Sequence, residues 1–144
     1  MYRRPRVVFI LLSFFLITGQ LFAQNPPKSQ AQMAIGKQFI VDSEIPWEEL
    51  APGVKRKIMS YDSTMMMVKI DFKKGGIGKP HKHFHTQMSY VDSGVFEVTI
   101  ADKKQILKKG DGYYIPSNIM HGAVCLEAGV LIDMFTPMRE DFVK

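Results

Sequence analysis

From about Lys37 onward the chain alternates short runs of β-branched and aromatic residues with Gly, Asp, Asn and Pro. No stretch keeps an apolar residue every three or four positions for long enough to make an amphipathic helix. Within 95–100, Phe96, Val98 and Ile100 alternate with Glu97 and Thr99, the spacing of a strand with one buried face. The pattern predicts strands over 38–41, 54–61, 65–72, 81–83, 87–91, 95–100, 105–107, 113–115, 121–126 and 130–135, and one helical turn over 46–50. Short strands joined by tight turns, with no internal repeat, describe an all-β sandwich or jelly roll. The run Met65-Met66-Met67 reads as core filling rather than a thioether cluster, because methionine packs adaptably.

Composition adjusts this picture mainly at the N-terminus. Arg3, Arg4 and Arg6 precede an apolar stretch of eleven residues over 7–17, and 18–23 is polar to small. That layout predicts a secretory signal peptide over 1–23, cleaved after Ala23. The stretch is short of the ~20 residues needed to cross a bilayer. The product is therefore expected to be periplasmic or secreted, with no membrane attachment after cleavage. Residues 24–36, rich in Gln, Pro, Ser and Lys, read as a flexible lead-in, leaving 37–144 as one domain. The formal charge of +5 falls to +2 without the three leading arginines, which removes the basic stripe that a nucleic-acid binder would carry. The lysine pairs at 73–74, 103–104 and 108–109 sit beside Gly or Asp and read as solvated turns. Cys125 is the sole cysteine, so no intramolecular disulfide forms, and its Ala-Val-Cys-Leu setting suits a small buried hydrophobe.

All four histidines lie between 81 and 121, three of them at alternate positions, His81, His83 and His85. On a strand, residues two apart share a face about 6–7 Å apart, so His81 and His83 can converge on one ion. A strand continued to Gln87 would carry it ~20 Å from His81, beyond reach. The chain is therefore expected to turn at Phe84-His85-Thr86, leaving His85 outside the metal shell and aiming Gln87 back at the ion beside His83. His121, after the turn Pro116-Ser117-Asn118, would be the fourth ligand.

These residues resemble the cupin superfamily. Its first motif is matched by Gly75, His81, His83, Gln87 and Gly94, with Gln where the family carries Glu. Its second is matched in register by Gly110, Pro116, Asn118, His121 and Cys125, with Asn118 for Gly and Cys125 for Asn. Asn tolerates the left-handed conformation for which a turn glycine is chosen, and Cys125 stands at a position that is not a ligand. The resemblance implies a cupin or RmlC-like jelly-roll β-barrel. Within that superfamily, Gln87 and the segment 133–142 resemble the small pectin-degradation enzymes named KdgF, which convert unsaturated uronates into linear keto sugar acids. It implies His81, His83, Gln87 and His121 as ligands to a divalent ion (zinc, iron, nickel, manganese or cobalt), and Asp133, Phe135 and Arg139 as residues around an anionic sugar substrate. Ser89 departs from the second amide expected two residues beyond Gln87, and export departs from the usual intracellular handling of released monomers.

Three neutral imidazoles and an amide leave the ion's charge uncompensated, which makes it a strong Lewis acid. Asp133, on an otherwise apolar strand, is either an acid-base group with a pKa raised by burial or a strand-end carboxylate bonded to a turn amide. Arg139 offers a fork that matches a carboxylate, or else pairs with Glu140 or Asp141. Phe135 either walls the pocket or fills the core. Besides an isomerase or lyase-like enzyme, such a site also suits an iron dioxygenase or an exported binding module without activity. A homodimer is expected, since open sheet edges commonly pair between subunits.

Overall fold

The structure is a computed structural model that describes residues 28–144; the expected signal peptide lies outside the described residues. A short helix α1 (Gln30–Ala34) is followed by eight strands: β1 (Glu48–Ala51), β2 (Val54–Tyr61), β3 (Met66–Phe72), β4 (Ile77–His81), β5 (Thr86–Ile100), β6 (Lys103–Lys108), β7 (Gly112–Ile115) and β8 (His121–Thr136). All the strand pairs are antiparallel and run in the order β1-β2-β3-β8-β5-β6, with β4 on β8 and β7 on β5. This rolled sheet is the expected jelly roll.

Two long strands form its spine. β5 pairs with β8 from Thr86↔Thr136 to Ile100↔His121, so each does the work of two expected strands. The expected strands break at Asp92-Ser93-Gly94, but this segment is a bulge within β5. Gly94 has φ +81°, and a Cβ there would stand 2.6 Å from the Glu127 carbonyl oxygen, so only glycine lets the two strands cross this closely. The amide of Val130 donates to Ser93 Oγ across the bulge at 3.1 Å. Alternation then resumes on both strands, with Gln87, Ser89 and Val91 facing inward from β5 and Leu131, Asp133 and Phe135 from β8.

Other differences are local. The expected strand over 38–41 is instead bends leading into a 3-10 turn (Asp42–Glu44), and Phe39 is exposed because no strand edge is offered to it. The expected helical turn over 46–50 is largely β1, because the open edge of β2 supplies a ladder that outweighs the helix propensity of Glu48-Glu49-Leu50. Part of the expected lead-in is ordered: Ser29 and Gln32 form a capping box on α1, and Ala31 and Ala34 are buried against Ile58, Tyr61 and Met66. Of the methionine run, Met66 is fully buried whereas Met65 is exposed, as strand alternation requires. Cys125 is a free, buried thiol in the second apolar cluster, with Phe72, Phe96, Val98 and Leu131.

Candidate metal centre and active site

β4 ends on His81, directly opposite His121 at the start of β8. The chain leaves the strand at Lys82, carries His83 in the connection, bends at Phe84-His85 and enters β5 at Thr86. This is the turn that the spacing predicts, although β4 is placed four residues earlier than expected and His83 is not in it. The ring centroids are 4.3 Å apart for His81–His121, 4.9 Å for His83–His121 and 5.5 Å for His81–His83. One nitrogen from each of the three rings lies within 4.8 Å of the others.

The polar contacts decide which nitrogens those are. His81 Nδ1 lies 2.8 Å from the Lys79 carbonyl, His83 Nδ1 2.9 Å from that of His85, and His121 Nδ1 2.8 Å from that of Ile119. A carbonyl only accepts, so each Nδ1 carries the proton and each Nε2 presents a lone pair. His121 Nε2 is buried with no hydrogen-bond partner. His83 Nε2 faces Gln87 Oε1 at 3.1 Å, and the Gln87 amide is fixed that way because its NH₂ donates to Ser89 Oγ at 2.9 Å. Two lone pairs held face to face, beside a third without a partner, are what a shared cation reconciles. Burial pushes His121 down to about 4 and also lowers His83, with Arg139 as the next cause for His83. Both rings are therefore neutral, which is the ligating form. The residues fit a divalent ion held by imidazole nitrogen and amide oxygen.

From Gln87 a chain of hydrogen bonds runs inward. Ser89 Oγ donates to Asp133 Oδ1 at 2.6 Å, and both residues are buried. Burial raises the Asp133 carboxyl to about 6, against the opposing pull of Ser89, Gln87 and Arg139. Tyr113, opposite Ser89 in the β5–β7 register, completes the group: burial and the Asp133 charge raise its hydroxyl above the ordinary phenol range, and a Ser89 hydrogen bond opposes this. From its own segment Tyr113 reads only as a strand residue, since the register that brings it to Ser89 leaves no mark there.

Phe135 is buried with its ring 5.6 Å from His83 and edge-on, so it walls the histidine cluster and packs the core at once. Arg139 stacks over Phe135 and Phe142 at 5.3 and 4.3 Å, and its Nε–Nη2 edge is paired: Asp141 accepts from Nε at 2.9 Å and from Nη2 at 2.7 Å. His85 stands outside the three-histidine group, as expected, and its Nε2 contacts Glu140 at 2.9 Å, tying the C-terminal turn to the bend.

Comparison with known proteins agrees with this geometry. The cupin domain family matches residues 68–135. The pectin degradation protein KdgF of Dickeya dadantii (strain 3937) is 52% identical over 109 residues, which is 74% of this chain and 99% of that protein. The chain belongs to the cupin family. Among solved structures, this cupin resembles an RmlC-like cupin from Shewanella frigidimarina NCIMB 400 at 40% identity, TM-score 0.72, covering 74% of this chain and 96% of that one. KdgF from Halomonas sp. matches the cupin at 40% identity and TM-score 0.70, over 72% and 98% of the two chains. An oxalate decarboxylase of Bacillus subtilis, at 22% identity, shares the fold alone. The likeness to KdgF supports an enzyme.

Proposed function

We propose that this cupin linearises an unsaturated uronate monosaccharide to an open-chain keto sugar acid. The observation that carries the reading is the buried Asp133 carboxyl, joined through Ser89 and Gln87 to the histidine cluster. The reaction is a net isomerisation. The hemiacetal hydroxyl loses its proton and becomes the carbonyl, the ring C–O bond breaks, and the released enol takes a proton on carbon to become a ketone. A divalent ion held by His81, His83, His121 and Gln87 would supply Lewis acidity to the sugar's oxygens. Asp133 takes the hydroxyl proton on a carboxylate oxygen and returns it to carbon. A pKa of about 6 suits both duties near neutral pH. Ser89 holds the carboxylate in place, and Phe135 closes the site against water.

Purified protein is expected to accelerate loss of the ultraviolet absorbance of an unsaturated uronate, and chelation or His83→Ala should abolish the acceleration. An unchanged background rate refutes the proposal, and oxygen uptake in its place would point to a dioxygenase. We also propose export to the periplasm or beyond, supported by the arginines and apolar stretch of residues 1–17. A homodimer is proposed as well, supported by the outer face of β5 and β7, where Met88, Tyr90 and Tyr114 are exposed side by side.

A further inference from the structure

Resting on the uronate reading, we propose that Lys103, with Gln105 beside it, is the carboxylate-recognising wall of the site. Directly opposed residues of antiparallel strands share a face. Lys103 opposes Ile100, Ile100 opposes His121 and His121 opposes His81, so one inward row crosses β6, β5, β8 and β4 from the lysine to the histidine cluster. The neighbouring row runs from Gln105 through Val98 to Ala123. With strands ~4.8 Å apart, the Lys103 backbone stands ~10 Å from that of His121. A lysine stem and a sugar acid together span that gap.

Space for the ligand is present there. A cavity of about 580 Å³ is lined by Val98, Ile100, Leu107 and Tyr113 on its apolar side and by Lys103, Lys104 and Gln105 at its polar edge. Tyr113 connects it to Ser89 and Asp133. The other cation near the centre, Arg139, has its charge and its Nε–Nη2 edge paired with Asp141. Lys104 borders the cavity too, but its ammonium pairs with Glu97 at 2.9 Å, whereas Lys103 has no acidic partner among the described residues. An inward lysine also blunts an edge strand against aggregation, a role that would leave sugar binding unchanged.

The test is calorimetric binding of galacturonate and of galactose to the metal-loaded protein and three variants, with metal content measured on each. Lys103→Met is expected to weaken galacturonate binding about tenfold or more, as loss of a charged hydrogen bond does. Galactose binding and metal content should not change. Lys103→Arg should keep the acid's binding within about threefold, because it keeps the charge. Lys108→Met, on the same strand but facing outward, should match the parent. Undiminished galacturonate binding by Lys103→Met overturns the inference and leaves the uronate reading intact, and failure of the parent to bind galacturonate overturns both. Binding that depends on Lys103, without consumption of an unsaturated uronate, upholds the inference and removes only the proposed reaction.

Discussion

Replacing Ser89 by Ala removes one oxygen from the middle of the Gln87–Ser89–Asp133 chain and little else, since the side chain is almost entirely buried and the methyl fits the same space. The Ser89 hydroxyl donates to the Asp133 carboxylate at 2.6 Å and so favours its charged form. Its loss raises a pKa that already lies at about 6. A hydrogen bond to a charged group contributes about 1.5–3 kcal/mol. At 1.36 kcal/mol per unit, that is a shift of roughly one to two units. The proposed reaction begins with an ionised Asp133, so the acidic limb of the kcat profile should move upward in pH by that amount. At pH 7 the rate should fall about twofold for a one-unit shift and about tenfold for a two-unit shift, and recover in more alkaline buffer. The assay is the ultraviolet loss of an unsaturated uronate from pH 5 to 9, with metal content measured on the same samples. An acidic limb that stays in place, with full metal and a parental rate, would show that Asp133 is not the titrating base.

Asp133→Asn should abolish turnover yet stabilise the metal-free protein at neutral pH. The folded pKa is raised from 3.8 to about 6, so the native state is favoured below about pH 4 and loses that advantage as pH rises through 6. The gain should approach about 3 kcal/mol at pH 7–8 and vanish near pH 4, as read from urea melts. His121→Ala should lose the ion, measured by elemental analysis after dialysis, whereas His85→Ala should keep it and loosen only the C-terminal turn. Gly94→Ala should cost at least about 2 kcal/mol, from left-handed backbone strain plus the clash with the Glu127 carbonyl, visible as a lower urea midpoint.

What the sequence disclosed was local chemistry. The His81, His83, Gln87 and His121 spacing implied a turn between strands, and the chain makes it at Phe84-His85. Alternation placed β2 from Val54 to Tyr61. What stayed hidden depends on register. The expected strands break at 92–94 and 127–129, where the chain in fact runs on through a bulge, and only the partner strand shows that. Tyr113 and Lys103 looked like an ordinary strand residue and a solvated turn, since their positions opposite Ser89 and Ile100 are set by pairing across the sheet. Arg139 carried two readings, a substrate clamp and a partner for a nearby acid, and in this structure its fork holds Asp141.

The spine of β5 and β8 has a consequence for how such a scaffold can change. Gln87, Ser89, His121, Asp133 and Phe135 all sit on these two staves, each of which is flanked by neighbours along most of its length. Lys103 and Gln105 belong to the periphery, together on the outermost stave. The reactive machinery is thus anchored where alteration is most damaging, while the groups that would grip the sugar's acid lie where exchange is cheapest. New ligand preferences can be grafted onto this barrel from its fringe without rebuilding its centre.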